Sequence, residues 1–210
     1  MDGVIVNSEP VYQQIEHEMF RELGIEIDKQ THRTFVGLRT LDMWKSIVHR
    51  FHLPQHPADL DREEGKRYLE MLDKKNGMSA VRGSIQLIRL LKNHGYVLAL
   101  ASSNSKRAIN AVLKKFKIID YFRFVISGEQ VEKSKPDPDI FIKTAETVEK
   151  DPAECLVIED STNGVIAALR AGMKCIAYEN SETGIQDLSE ADLIVRDLKE
   201  ITPGTIQKLY

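Results

Sequence analysis

Leu156-Val157-Ile158-Glu159-Asp160-Ser161-Thr162-Asn163-Gly164 is the stretch on which the fold turns. A continuous apolar run reads as a strand buried on both faces. Two carboxylates end it, and the small-residue turn that follows opens a helix reaching Gly172. The same alternation recurs on either side. Upstream, a helix with Ile85, Ile88 and Leu91 ends at His94-Gly95 and precedes an apolar strand over residues 97–101. A helix around Ile109, Val112, Leu113 and Phe116 then leads to a strand at 124–126, and another helix starts near Pro138. Downstream come strands at 175–178 and 193–195. Continuous apolar strands alternating with amphipathic helices predict a doubly wound α/β domain, its parallel sheet covered on both faces.

Before residue 80 the pattern is helical only, from Glu9 to about Lys75. Val11, Ile15, Met19 and Leu23 share one helix face that Gly24 can end. Thr40 is placed to cap a second helix with an apolar stripe at Leu41, Trp44, Val48 and Phe51, so Trp44 reads as core. Pro57 starts a third helix containing Leu60, Tyr68 and Leu72. This all-helical segment reads as an insertion into the α/β domain.

Composition narrows the function. The 210 residues are enough for one domain carrying a smaller one. A net charge of −3 argues against a surface that tracks nucleic-acid phosphates. No apolar run approaches the ~20 residues that cross a bilayer, and the first residues lack a secretory signal. Cys155 and Cys175 each sit in a short apolar run, predicting buried, reduced thiols and a cytoplasmic protein.

In an open α/β sheet the site lies beyond the carboxyl ends of the strands. Polar groups gather at four such positions: Asp2 before Gly3; Ser102, Ser103 and Asn104; Lys135 before Pro136; and Glu159 with Asp160. Each alone has an ordinary reading, Ser102 and Asp160 as helix caps, Lys135 as a solvated lysine, Asp2-Gly3 as a turn. Together they suit phosphoryl transfer. Glu159 and Asp160 supply oxygen ligands of the kind Mg2+ prefers. Ser102 to Asn104 offer a hydroxyl and N–H groups to phosphate, and Lys135 a compact positive charge. Such catalysis is mostly positioning and charge neutralisation. A carboxylate nucleophile and a proton donor complete the set, and two carboxylates at i and i+2 on an extended segment point the same way. Asp2 can be the second of such a pair.

These four segments, with Ser134-Lys135-Pro136-Asp137-Pro138-Asp139 around the lysine, resemble the haloacid dehalogenase superfamily, in the branch of beta-phosphoglucomutase and the sugar-phosphate phosphatases. The resemblance spans essentially the whole chain. It implies a Rossmann-like core over 1–9 and 79–210 with a helical cap over 10–78. It makes Asp2 the general acid/base with its backbone carbonyl on Mg2+, sets Ser102 and Lys135 on the transferring phosphate, and puts Glu159 and Asp160 on the metal. The family pattern is Asp-x-Asp-Gly, and this chain opens at the x with Met1. The nucleophile is therefore expected just before Met1, together with the first strand. An internal methionine taken as the start is one account, and a chain without the activity is the other. Asn7 replaces the usual aspartate and can still cap the next helix. Tyr12 stands where mutases of the branch carry histidine, which favours a phosphatase.

The implied activity is Mg2+-dependent hydrolysis of a small sugar or polyol phosphate through an aspartyl phosphate. The alternatives are an isomerase of the beta-phosphoglucomutase type and an inactive protein binding a phosphorylated ligand or a partner. A small phosphorylated metabolite is the expected partner, with no nucleic acid or membrane, and the chain is expected to be a monomer. Gly37-Leu38-Arg39-Thr40 resembles the cap segment of hexose- and hexitol-phosphate phosphatases, so Arg39 is a candidate to reach the substrate; an ordinary helix start is the other reading. His49, His52 and His56 lack a cysteine nearby and make a poor zinc site. The mixed charges from Asp59 to Arg67 read as a solvated face.

Overall fold

In the computed structural model, which describes residues 1–74 and 77–210, the first third of the chain is helical. Helices α1 (Glu9–Glu22), α2 (Lys29–Arg33), α3 (Thr40–Phe51) and α4 (Pro57–Asp73) follow one another without a strand. The expected end of this stretch at Lys75 lies outside the described residues. Helix α1 buries Val11, Ile15 and Met19 as its spacing predicts. Helix α3 is rotated from expectation: it buries Met43, Trp44 and Ile47, while Leu41, Val48 and Phe51 remain partly exposed. Arg39 is its N-cap and Thr40 its first helical residue. Asn7 does not cap α1. Ser8 holds that place without a side-chain capping bond, and the Asn7 amide donates to Ser79 Oγ instead. Helix α2 has a sequence signal that only its local chemistry reveals: Asp28 accepts from the Thr31 N–H at 2.9 Å.

The remainder alternates: α5 (Ser84–Asn93), β1 (Ala99–Ser102), α6 (Lys106–Lys115), β2 (Phe124–Ser127), α7 (Asp139–Val148), β3 (Leu156–Glu159), α8 (Thr162–Arg170), β4 (Lys174–Tyr178), β5 (Leu193–Val195) and α9 (Pro203–Gln207). All pairings are parallel, β1 with β2 and β3 with β4 with β5. This is the expected α/β class, but the sheet comes in two pieces, since β1 and β3 are not paired. Between their carboxyl ends stands the Asp2-Gly3 turn, which makes only an isolated bridge to Val6. A turn offers no ladder of N–H and C=O groups to join them.

One apolar core runs from Val11, Trp44 and Tyr68 of the helical cap into Leu100 of β1 and Ile109 and Val112 of α6. Each fully buried side chain of this size contributes roughly 1.5–3 kcal/mol, so cap and α6 are bound as one unit. A second cluster packs α7 and α8 on β3 and β4. Cys175 is buried and Cys155 only half-buried, because it ends the turn before β3; both are free. No helix among the described residues is long and apolar enough to cross a membrane.

Candidate active site

Ser102 ends β1 and Glu159 ends β3, and although these strands belong to separate parallel pieces of sheet their carboxyl ends meet at one place. Asp2, Ser102, Ser103, Asn104, Lys135, Glu159 and Asp160 all line one cavity of about 100 Å³, beneath α1 and α4. Arg39 does not line it. Its guanidinium donates to the Gly128 and Val131 carbonyls, each at 3.1 Å, and to Glu132 O at 3.2 Å. Those bonds tie the cap to the loop after β2, while the Asp42 carboxylate at 2.8 Å steadies the guanidinium from within the cap.

Asp2 is held on both carboxylate oxygens. Ser8 Oγ donates to Oδ1 at 2.7 Å and the Asn104 amide to Oδ2 at 3.1 Å. Ser102 does not cap α6; Ser105 does, accepting from the Ala108 N–H. That leaves the Ser102 hydroxyl 3.5 Å from Asp2 Oδ2, accepting the Asn104 N–H at 3.3 Å. The Ser103 hydroxyl is directed at the cap, donating to Gly37 O at 2.8 Å.

Lys135 is buried, contrary to the ordinary expectation for lysine. Its ammonium is bound to Glu159 and lies 4.9 Å from the centre of the Phe141 ring. Burial pushes the Glu159 carboxyl up, yet the Lys135 ammonium outweighs it and holds the group below the ordinary glutamate value. Asp160 has no ion-pair partner among the described residues, and burial raises its pKa more than the N-terminal ammonium lowers it. Burial, and then the Glu159 charge, push it up to about 7.

Gly3 makes this crowding possible. It has φ +64°, and a Cβ there would run into the Asp160 carboxylate and stand 2.9 Å from Thr183 Oγ1. Thr183 donates to Asp160 Oδ2 at 2.5 Å, and the Asn180 amide to Gly3 O at 2.7 Å. Asp2, Glu159 and Asp160 thus line one cavity and bring carboxylate oxygens to it, without gathering into a tight metal cluster. That is a donor set suited to a hard divalent cation such as Mg2+.

The cavity also has a lining that sequence reasoning missed. Glu9 at the start of α1 and Glu16, His32 and Glu64 of the cap face it, beside Tyr12, whose position the sequence already marks. His32 is bound to Glu16, which raises its pKa. Burial pushes the Glu9 carboxyl up to about 7. Tyr12 stacks on Tyr68 with ring centres 4.7 Å apart. A signal for Glu64 exists: it fills the missing i+4 step between Leu60 and Tyr68 on the buried stripe of α4. The histidines 49, 52 and 56 form no metal cluster, and none of any kind occurs among the described residues by grouping of His, Cys, Asp and Glu. His52 ends α3 in a left-handed conformation and His56 caps α4.

A profile described as haloacid dehalogenase-like hydrolase matches residues 1–178. Hexitol phosphatase B of Escherichia coli is 28% identical over 186 residues, covering 87% of this chain and 82% of that one. The bifunctional riboflavin kinase/FMN phosphatase of Arabidopsis thaliana is 31% identical over 202 residues. That match takes in 96% of this chain, which spans about half (52%) of the plant protein's length. Among solved structures, beta-phosphoglucomutase from Clostridium difficile superposes with a TM-score of 0.85 at 25% identity, covering 100% of this chain and 93% of that one.

Proposed function

Because the chain belongs to the haloacid dehalogenase-like hydrolase family, we propose that it works as a Mg2+-dependent phosphatase on a small sugar or polyol phosphate. The observation that carries this is the lining of one cavity by Asp2, Ser102, Asn104, Lys135, Glu159 and Asp160. Residues 10–78 act as the cap over a core of 1–9 and 79–210. Two free cysteines agree with a cytoplasmic setting.

Ser102 Oγ and the Lys135 ammonium bind the phosphoryl oxygens. Asp160, Glu159 and the Asp2 carbonyl would hold Mg2+, which when bound neutralises charge on those oxygens. The nucleophile would be the carboxylate that the family pattern calls for one residue before Met1. Its oxygen forms the new bond to phosphorus as the bond to the leaving oxygen breaks, and Asp2 gives that oxygen its proton. Asp2 then takes a proton from water, whose oxygen displaces the carboxylate and yields inorganic phosphate. Ser8 and Asn104 hold Asp2 in one orientation for both proton transfers. The closed cap keeps bulk water out of the cavity. Tyr12, at the position where mutases carry histidine, favours hydrolysis over isomerisation.

The test is phosphate release from a panel of sugar and polyol phosphates with Mg2+, using a chain with aspartate placed directly before Met1. Release should fall by about 100-fold or more in Asp2→Asn. No release from any substrate by the aspartate-extended chain with Asp2 intact would sink the proposal.

A further inference from the structure

Helix α4 buries Leu60, Glu64, Tyr68 and Leu72 at four-residue steps, so a carboxyl group occupies the middle of an apolar stripe. Glu64 is 1% exposed. Its Oε2 accepts from the Trp44 indole N–H at 2.5 Å. Its Oε1 is the one buried side-chain polar atom, among the described residues, without a hydrogen-bond partner. A polar atom stranded in this way is costly, and a leucine would complete the stripe. Glu64 also lines the cavity described above. The polar groups beside it there are engaged: Glu16 with His32, and Tyr12 with Asn104.

We propose that Glu64, clamped by Trp44, is a specificity-determining residue whose Oε1 hydrogen-bonds a hydroxyl of the leaving group when a phosphate monoester fills the cavity. This rests on the phosphatase assignment above, which supplies the phosphate end of the ligand. A hydroxyl suits the position because it both donates and accepts. Burial and the nearby Glu16 charge push the Glu64 carboxyl well above the ordinary glutamate range, so an ammonium group would have to ionise it first. An alkyl leaving group would leave the orphan oxygen buried against carbon. Sites built to bond a hydroxyl reject analogues that lack it far more strongly than apolar sites reject a methylene. The ligand class is therefore a polyhydroxylated phosphate monoester.

The experiment is calorimetric binding to the 210-residue chain, with Mg2+ present, of inorganic phosphate, hexyl phosphate and sorbitol 6-phosphate. The last two differ in the hydroxyls along one six-carbon chain. The expected result is a preference for sorbitol 6-phosphate that Glu64→Leu reduces tenfold or more, with inorganic phosphate bound as before. An unchanged preference in a folded Glu64→Leu chain would overturn the proposal. Absence of inorganic phosphate binding to the unsubstituted chain would instead remove the phosphatase assignment, and this proposal with it. A second readout needs no variant. Trp44 is the sole tryptophan, so saturating sorbitol 6-phosphate should shift its emission and inorganic phosphate should not. No shift with sorbitol 6-phosphate would count against Glu64 as decisively as an unchanged preference.

Discussion

The Tyr12 phenol donates to the Asn104 side-chain oxygen at 3.1 Å, and through it helix α1 is joined to the loop after β1. The same Asn104 amide donates to Asp2, so the tyrosine fixes which way that amide faces. Tyr12→Phe keeps the ring stacked on Tyr68 and removes only the hydroxyl. The expected loss is about 1 kcal/mol, read as a fall in Tm of about 2–4 °C for a chain of this size. A melting temperature equal to that of the unsubstituted protein would mean the bond is idle.

Lys135 and Glu159 form a buried ion pair, and removing one partner strands the other. Lys135→Met is expected to cost about 3–5 kcal/mol in urea unfolding. Lys135→Met combined with Glu159→Gln should be less damaging than Lys135→Met alone, because no charge then remains unpaired. Strictly additive losses would show that the two side chains act independently.

Two groups of the cavity wall make stability depend on pH in the same direction. Glu9 has its pKa pushed up by burial from 4.5 to about 7. The folded protein thus holds a proton there that the unfolded chain releases. The corresponding stability is complete below about pH 4.5 and is lost as pH rises through 7. His32, raised above 6.5 by its bond to Glu16, contributes stability below that value and loses it as pH climbs. Glu9→Gln has no proton to lose. The gap in unfolding free energy between Glu9→Gln and the unsubstituted protein should therefore widen in favour of the variant from pH 5 to 7.5. A constant gap would refute the burial of that carboxyl.

Gly3→Ala places a methyl group against the Asp160 carboxylate and forces a left-handed conformation on alanine. The cost should be at least about 2 kcal/mol, measured by guanidinium unfolding. The same variant should bind Mg2+ more weakly in calorimetry, since Asp160 must move. Normal stability and binding together would place Gly3 away from the carboxylate.

The parts of the site at strand ends were legible because chain direction alone decides where such residues go. Ser102, Glu159 and Asp160 follow apolar runs, and all three line the cavity at the strand ends. The cap lining was not legible. Glu16 and His32 lie 16 residues apart on different helices, and Glu64 meets Trp44 across 20 residues. A glutamate on an amphipathic helix reads as a solvent-facing residue unless its place on the apolar stripe is counted. Helix α3 shows the same difficulty, because Met43 and Leu41 are both apolar and only packing against α1 and α4 decides which is buried. On sequence Arg39 suits either a reach toward substrate or an ordinary helix start, and backbone carbonyls more than 85 residues later take its guanidinium.

The seam between cap and core is bonded to main-chain oxygens. Arg39 donates to the carbonyls of 128, 131 and 132. From the other side Ser103 donates to Gly37 O, and the Asn163 amide to Thr34 O and Val36 O. Gly37 itself lies so close that a Cβ there would stand 2.6 Å from Ser161 Oγ. A carbonyl survives replacement of the side chain beside it. Val36 can therefore exchange its side chain in the cavity wall while the fastening that passes through its backbone persists. Such a lid is free to drift in sequence toward new leaving groups without first learning again how to shut.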